Sequence, residues 1–246
     1  MSNPNSDPQI HQAANRLEVL YADEDFVAIN KPHGLLVHRS KIAANTDEYA
    51  VQKLRDQLGK YVYPAHRLDR KTSGVLLFAL NKPALRAIRE SFEKERIQKK
   101  YWAILRGHTD KEGLIDYALI NDKGKKQEAQ TRYLTMNRTE IDLPFGKHQS
   151  SRYSWVEARP TTGRMHQLRK HFAHIFHPII GDRPHGCNKQ NKLFLEKWNM
   201  SSMMLHAVSI AFEHPLTQLP IEINASPSSE FVRMIKTLEF DTSLLP

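Results

Sequence analysis

The longest uninterrupted apolar run of the chain, Val75 to Leu80, constrains the fold more than any other stretch. Six residues are far too few to span a bilayer, and this length is typical of a strand buried inside a sheet. The run follows a polar loop that extends from His66 to Gly74. The sequence therefore predicts a buried strand with a charged loop at its start.

Further strands and a few helices alternate along the rest of the chain. Helical spacing of apolar residues predicts helices at 47–58, 82–96, 163–176 and 230–238. In the third of these, the spacing predicts that Met165, Leu168, Phe172 and Phe176 face inward. We predict strands at 18–21, 25–29, 101–105, 113–120, 128–136, 152–158, 205–212 and 219–223.

The mixed order of these elements predicts an α+β fold in one domain. We expect this domain to cover residues 16–246, after a flexible tail at residues 1–15 that is rich in Asn, Ser, Pro and Gln. Residues 186–202 are polar and show no periodicity, so they are predicted to be irregular.

Cysteine content and the start of the chain indicate a cellular location. The 246 residues include one cysteine, Cys187, which can form no internal disulfide and suits a reducing compartment. A zinc module that needs two cysteine ligands is excluded. No basic-then-apolar leader opens the sequence, and no run is long enough for a membrane helix. We therefore expect a cytoplasmic protein.

The net charge of +9 is unevenly distributed. Segments 82–106, 121–138 and 159–197 together carry +14, so the rest of the chain carries −5. A concentration of this kind favours a face that binds a polyanion such as RNA. The alternative is that these lysines and arginines merely solvate helix faces.

The loop HRLDRKTSG places Asp69 among three basic residues and a histidine. Nearby positive charge favours the ionised carboxylate, and an ionised, oriented aspartate can act as a nucleophile or base. Thr72 and its neighbours can fix the loop through turn hydrogen bonds. The alternative is an ordinary turn aspartate in a basic loop.

The segment GRMHQLRKH places Arg169 at the edge of the predicted inward helix face. Since an unpaired buried charge is very costly, a half-buried arginine usually has an anionic partner, and Asp69 is a candidate. The alternative is an arginine whose stem is buried while its guanidinium reaches solvent. His171, His174 and His177 diverge around the helix, so we predict no metal site and expect a basic surface that faces RNA.

The segment KKYWAILRG predicts a strand on which Tyr101 can stack on a base while the preceding lysines hold phosphate. An ordinary core tyrosine is the alternative. Motifs for nucleotide-binding loops, dinucleotide binding, zinc proteases and α/β-hydrolases are missing, so those enzyme classes lose their main support.

Taken together, four ordered segments resemble the RluA-type pseudouridine synthases. NKPHGLLVH, HRLDRKTSG, KKYWAILRG and GRMHQLRKHFAHIFHPIIGD each resemble a motif of that family, and the match runs from about Leu17 to Ile223. The resemblance implies an isomerase that converts uridine in RNA to pseudouridine. It implies Asp69 as the reacting carboxylate, Tyr101 as the aromatic residue against the base and Arg169 as the partner of the aspartate.

The resemblance also implies the fold and the remaining contacts. We expect a mixed, mainly antiparallel sheet flanked by helices, with an active-site cleft along its middle. It implies no cofactor and no metal, and it indicates no obligate protein partner and no membrane. Arg67 resembles the residue that fills the space of the flipped nucleotide. The other residues expected to contact RNA are Lys31, His66, Thr72, Lys100, Arg164, His166 and Gln167.

Details outside the motifs resemble a branch of the family that modifies uridine 65 of certain tRNAs. They are His185 in GDRPHG, where many members have tyrosine, the stretch KWNMSSMMLHA and the loop around 143–151. We expect no small RNA-binding module before Leu17. The resemblance thus implies tRNA as the first candidate substrate and ribosomal RNA as the second.

Two functions of other classes remain open at this point. The basic segments alone are also expected of a non-catalytic RNA-binding or RNA-folding protein. An enzyme that hydrolyses glycosidic bonds would need a second carboxylate opposite Asp69, and the sequence offers none in a comparable setting.

Overall fold

A computed structural model of the chain describes residues 16–39 and 48–245. Within them, one ten-stranded mixed sheet is flanked by five helices and accompanied by a two-stranded ribbon. This agrees with the α+β prediction. The predicted tail at residues 1–15 lies outside the described residues.

The bounds of the elements are as follows. In chain order, the strands are β1 (Val19–Ala22), β2 (Phe26–Lys31), β3 (Tyr63–Pro64), β4 (Ser73–Ala79), β5 (Gln98–Arg106), β6 (Glu112–Asp116), β7 (Leu119–Ile120), β8 (Lys126–Gln127), β9 (Gln130–Ile141), β10 (Ser151–Pro160), β11 (Leu205–Glu213) and β12 (Pro220–Asn224). The helices are α1 (Ala50–Leu58), α2 (Lys82–Glu93), α3 (Gln167–His174), α4 (Asn188–Trp198) and α5 (Ser229–Thr237), and a short 3₁₀ turn covers Thr242–Leu244.

The large sheet has the order β1-β2-β4-β11-β5-β10-β9-β6, with β3 paired to β4 and β12 to β11. Strands β4 and β11 pair in parallel, through Ser73 with His206 and Gly74 with Ala207. The other pairings of this sheet are antiparallel. The prediction of a mixed, mainly antiparallel sheet is confirmed.

Strand β4 is buried along its whole length, as its apolar sequence predicts. Val75 and Leu77 contribute to the core on the side of α2, while Leu76 and Phe78 contribute to the core on the side of α1. Successive strand side chains point to opposite faces, so a strand covered on both faces carries a continuous apolar run, here Val75 to Ala79.

Helices pack on both faces of the sheet. Residues of α2, α4 and α5 belong to the two core clusters on one face, and residues of α1 and α3 belong to the two clusters on the other. Tyr101 of β5 packs against both clusters of the α1 and α3 face. It therefore lies at the middle of the sheet, between the two helices.

Two helix predictions need correction. The stretch predicted to be irregular contains α4, which buries Gln190 and Phe194 and ends at Asn199 in the left-handed conformation. Its inward stripe is too sparse to produce a clear apolar period. Helix α3 is shorter than predicted because left-handed residues, His166 (φ 56°) and Phe176 (φ 63°), lie at its two ends.

The shortening of α3 also changes which of its residues are buried. Leu168 and Phe172 are buried as predicted. Met165 and Phe176 lie outside the helix, and their exposed fractions are 37% and 88%. The helical period predicts an inward stripe only where the backbone is helical.

Gly74 lies where the parallel strands meet. Its φ is +108°, and a Cβ added there would lie 2.1 Å from the carbonyl oxygen of Ala207. Gly124, in the turn of the ribbon, has a φ of +75° with nothing within 4 Å of an added Cβ. Both glycines have a positive φ that a residue with a Cβ would adopt only with strain, but only Gly74 is also crowded.

We expect Gly74→Ala to lower the free energy of unfolding by at least about 3 kcal/mol, because strain and a backbone clash add. Gly124→Ala carries only the strain and should lose about 1 kcal/mol. Urea unfolding followed by tryptophan fluorescence measures both. Equal losses would show that β11 does not press on Gly74.

Candidate active site

A cavity of about 550 Å³ opens over the middle of the sheet, beside Tyr101. Nine of the eleven residues predicted for the site line it, and Lys31 and Lys100 do not. The nine are His66, Arg67, Asp69, Thr72, Tyr101, Arg164, His166, Gln167 and Arg169. The cavity therefore brings together residues from three segments that are far apart in sequence.

Asp69 lies in the loop between β3 and β4. Its carbonyl oxygen accepts a hydrogen bond from the Thr72 N–H at 3.1 Å, which closes a turn. Arg70 ties the same loop to the turn after β2, because Arg70 and Gly34 exchange hydrogen bonds at 2.9 Å in both directions. The side chain of Asp69 is 20% exposed and faces the cavity.

Arg169 of α3 lies between two carboxylates. Its Nε and Nη2 donate to the two oxygens of Asp182 at 2.9 and 2.8 Å, and its Nη1 donates to Oδ2 of Asp69 at 2.8 Å. Arg169 and Asp182 are 7% and 1% exposed. The bidentate contact with Asp182 fixes the plane of the guanidinium and directs its remaining nitrogen toward Asp69.

Burial by itself would lower the pKa of Arg169, but the hydrogen bonds that it donates to Asp182 and Asp69 outweigh burial and raise the pKa overall. The arginine is therefore permanently charged. Asp69 is the partner that the sequence suggests for Arg169. Asp182 was missed, although it ends the GRMHQLRKHFAHIFHPIIGD segment and a buried guanidinium with three donor edges calls for more than one acceptor.

Tyr101 forms part of the cavity wall, where it packs with the apolar clusters beneath α1 and α3. Burial raises the pKa of its phenol, and the negative charge of Asp69 raises it further. The phenol is therefore neutral at physiological pH. Leu68, Leu168 and Leu205 line the same cavity and make this part of its wall apolar.

Two histidines lie beside Asp69. Nδ1 of His166 and Nε2 of His185 are 3.0 Å apart, and Nε2 of His166 is 3.8 Å from Oδ2 of Asp69. Burial lowers the pKa of both histidines, although the carboxylates nearby act in the opposite direction. Both rings are therefore neutral at physiological pH.

Lys31 does not have the RNA-binding position that the sequence suggests. Its side chain is fully buried, and Nζ donates to the carbonyl oxygens of Pro32, Leu35 and Arg70 at 2.9, 2.8 and 3.2 Å. All three ammonium hydrogens thus have acceptors inside the protein. Burial lowers the pKa of Lys31 to about 7. The residue holds the loop of Asp69 to the turn after β2 and has no donor left for phosphate.

Lys100 also needs correction. Side chains alternate along a strand, so Lys99 and Tyr101 share a face of β5 while Lys100 points to the other face. Lys99 lines the cavity and donates to the carbonyl oxygen of Thr162 at 3.0 Å. Lys100 lies outside the cavity and forms an ion pair with Glu222 at 3.5 Å. The alternation was readable in the sequence and favours Lys99.

Gln167 lines the cavity, but its amide is already used within the protein. Its Oε1 accepts from the Thr162 hydroxyl and the Arg164 N–H, and its Nε2 donates to Gln130 and Thr131. Gln167 therefore supports the loop before α3 and is not free to bind a base. Arg164 is held by the Glu128 carbonyl oxygen at 2.9 Å.

His66 has a structural role as well as a place at the cavity. Its Nε2 accepts from the Leu77 N–H at 3.1 Å, and its ring packs on Phe92. Burial lowers its pKa to about 4, so the ring is neutral and can accept this hydrogen bond. The exposed Arg67 follows it at the cavity.

The three histidines near the end of α3 have separate surroundings. His171 is buried between Thr131 and the Tyr117 carbonyl oxygen, His174 stacks on Tyr117 at 3.6 Å, and His177 contacts the Arg106 carbonyl oxygen. The expected RNA-facing surface therefore does not include His171. Within residues 16–39 and 48–245, no group of three His, Cys, Asp or Glu side chains is arranged to hold a metal ion. No helix in this part of the chain has the length and apolar character needed to cross a membrane.

Comparison with known proteins adds independent findings. The family model described as RNA pseudouridylate synthase matches residues 25–174. The tRNA pseudouridine synthase C of Vibrio parahaemolyticus is 42% identical over 240 residues, covering 93% of this chain and 98% of that protein. The tRNA pseudouridine synthase C of Haemophilus ducreyi is 45% identical over 219 residues, covering 85% of this chain and 90% of that protein.

Two solved human structures share the fold. RNA pseudouridylate synthase domain containing 4 has a TM-score of 0.71 at 24% identity and covers 92% of this chain and 94% of its own. RNA pseudouridylate synthase domain containing 1 has a TM-score of 0.68 at 22% identity and covers 96% of this chain and 97% of its own. Both similarities extend over more than nine tenths of this chain.

We expect Asp182→Asn to lower the free energy of unfolding by about 3–5 kcal/mol, because it leaves the buried guanidinium of Arg169 without its bidentate partner. Thermal and urea unfolding measure the loss. Asp56→Asn is the matched control, since Asp56 is an exposed carboxylate that contacts Arg55, and it should leave the unfolding curve nearly unchanged. Similar curves for the two variants would contradict a structural role for Asp182.

The salt dependence of RNA binding can show which face of the sheet binds RNA. Arg67→Ala should weaken binding and reduce the slope of log K against log salt by about 0.7–0.9, because one positive charge next to the RNA backbone is lost. Lys100→Ala should leave the slope unchanged, because Lys100 lies away from the cavity. Fluorescence anisotropy with labelled tRNA from low to high salt measures both. A reduced slope for Lys100→Ala would place RNA on the opposite face.

Proposed function

The chain belongs to the RNA pseudouridylate synthase family, and we propose that it isomerises uridine 65 of tRNA to pseudouridine. The observation that carries the proposal is the carboxylate of Asp69, held by Arg169 at the wall of the cavity beside Tyr101. The relatives named tRNA pseudouridine synthase C support tRNA as the substrate. Position 65 rests on the likeness of His185 and the loop around 143–151 to the branch that modifies it.

The proposed reaction requires the uridine to leave the RNA stack, which costs a few kcal/mol. The exposed guanidinium of Arg67 offsets this cost by occupying the space left in the RNA. The bond between N1 and C1′ then breaks, and a bond between C5 and C1′ forms. C5 loses a proton and N1 gains one, so the isomerisation is redox-neutral.

Asp69 is the residue that we assign to the reaction at the sugar. Its carboxylate either attacks C1′ or removes a ribose proton on the way to a glycal, and in both routes it faces the ribose. Oδ2 is occupied by Arg169, and within residues 16–39 and 48–245 no hydrogen bond reaches Oδ1. Oδ1 is therefore the oxygen that we assign to the substrate.

Tyr101 is assigned to the base. The detached uracil has to turn and rejoin the sugar through C5 before water reaches the sugar. A neutral phenol beside leucine side chains offers a flat, dry surface that allows this rotation. The proposal places the enzyme in the cytoplasm, because its one cysteine suits a reducing compartment.

The competing functions differ in what they need from the site. Hydrolysis of a glycosidic bond needs a second available carboxylate, and Asp182 is committed to Arg169. Glu93 and Glu95 line the cavity but are exposed to solvent. A ribosomal RNA substrate would use the same chemistry. A protein that only binds RNA has no need for a carboxylate held at the cavity wall.

The test measures tritium released from RNA labelled at C5 of uracil, since joining the sugar to C5 displaces that hydrogen. Wild-type protein should release tritium from tRNA, and Asp69→Asn should lower the rate by more than about 10³-fold. Binding of tRNA by Asp69→Asn should be close to that of the wild type. Turnover by this variant near the wild-type rate would refute the assignment of Asp69.

The position and the RNA class need their own controls. A tRNA transcript with cytidine at position 65 should release no tritium, while release from that transcript would refute the assigned position. Release from ribosomal RNA alone would keep the chemistry and reject the substrate. Binding of both RNAs without any release would favour the RNA-binding protein.

A further inference from the structure

The pair formed by His166 and His185 is not used by the proposed mechanism, yet it lies against the reacting carboxylate. His166 has a φ of 56°, in the left-handed region that residues other than glycine rarely adopt. Such strain persists only where the surrounding structure imposes it, and it often marks a functional position. Here the left-handed residue immediately precedes α3 and places its imidazole between Asp69 and His185.

The contacts of the two rings determine where their protons lie. A carboxylate can only accept, so Nε2 of His166, at 3.8 Å from Oδ2 of Asp69, is favoured in its N–H form. In a neutral ring, Nδ1 then lacks a hydrogen and accepts. Since Nδ1 lies 3.0 Å from Nε2 of His185, His185 must be the donor. The opposite assignment would direct a lone pair of His166 at the carboxylate.

We propose that His166 is a positioning residue for Asp69 and that His185, by donating to its Nδ1, holds it in the tautomer with hydrogen on Nε2. This inference rests on the proposed function of Asp69. The N–H of His166 and Nη1 of Arg169 both face Oδ2, so together they oppose rotation of the carboxylate. Oδ1 then stays directed at the substrate.

The network extends to Asp182, which contacts both Arg169 and His185. It binds the guanidinium of Arg169, and its Oδ1 lies 3.4 Å from the backbone N–H of His185. The charged groups that act on the two rings are Asp69, Asp182, Arg169 and Lys170. The carboxylates raise the pKa of the rings and the cations lower it, so the charges largely oppose each other and burial keeps both rings neutral.

The tautomer can be observed directly. In protein labelled with ¹⁵N-histidine, we expect the spectrum of His166 to show a protonated Nε2 and an unprotonated Nδ1 at neutral pH. Assignment uses the His166→Gln variant, from which these signals are absent. A protonated Nδ1 in His166 of the wild type would overturn the proposal. This readout does not depend on any RNA or on turnover.

The kinetic test uses a matched pair at position 185. A phenol hydroxyl can donate to Nδ1 of His166 and a phenyl ring cannot, so His185→Tyr and His185→Phe differ by the donor alone. We expect His185→Phe to lower kcat roughly 10- to 100-fold with little change in KM, as for other residues that orient a functional histidine. His185→Tyr should recover most of that loss. Equal kcat values for the two variants would overturn the proposal.

A double-variant cycle tests whether His185 acts through His166. Gln at position 166 can donate to Asp69 but has no tautomer for His185 to set, so His185→Phe should have little further effect on kcat in the His166→Gln background. A full 10- to 100-fold loss in that background would show that His185 acts by another route. Circular dichroism and thermal unfolding identify any variant that fails to fold.

Failure of this inference can be told apart from failure of the proposed function. If wild-type protein releases no tritium from either tRNA or ribosomal RNA, the function of Asp69 is wrong, whatever the spectrum of His166 shows. If wild-type protein is active but the tautomer is reversed, or the Tyr and Phe variants are equal, the role of the histidine pair is wrong and the function stands.

Discussion

The candidate site depends on one buried guanidinium held between two carboxylates. Taking a charge out of water costs several kcal/mol, and only close, well-directed partners offset that cost. Asp182 supplies both of its oxygens to Arg169, and Asp69 accepts from the nitrogen that remains. These contacts join α3, the segment that follows it and the loop before β4. A change in any of the three therefore alters the direction in which Asp69 faces.

The sheet places this network beside the apolar wall on which a base can lie. Strand β11 pairs with β4 in parallel on one side and with β5 on the other, so the loop before β4 lies near Tyr101. The close approach of Gly74 to Ala207 allows the two parallel strands to meet directly after that loop. Residues that are 100 positions apart, such as Asp69 and Arg169, thus share one cavity.

The basic residues of the chain serve two different purposes, which net charge cannot separate. Lys31 donates all its hydrogen bonds to carbonyl oxygens and stabilises the turn next to the Asp69 loop. Arg67 is exposed at the cavity, where a polyanion can reach it. Lys99 and Lys100 are neighbours in sequence but lie on opposite faces of β5. Only the geometry around each cation tells whether it is available to RNA.

The sequence by itself determined the fold class, the buried strand and the residues that meet at the cavity. Apolar periodicity depends on local spacing, and four ordered motifs carry Asp69, Tyr101 and Arg169 whatever surrounds them. Strand alternation would also have favoured Lys99 over Lys100. Apolar periodicity did not predict the polar helix α4, because the burial of this helix depends on Phe194 packing against a distant part of the sheet.

Only the tertiary structure decided which polar side chains pair with each other. It placed Asp182 against Arg169 and His166 between Asp69 and His185. It also gave the donors of Lys31 and the amide of Gln167 hydrogen-bond partners inside the protein. These outcomes depend on long-range distances and on which atoms are left without water. A buried polar group must find its partner wherever the fold brings one, and that position is not encoded in the spacing of residues along the chain.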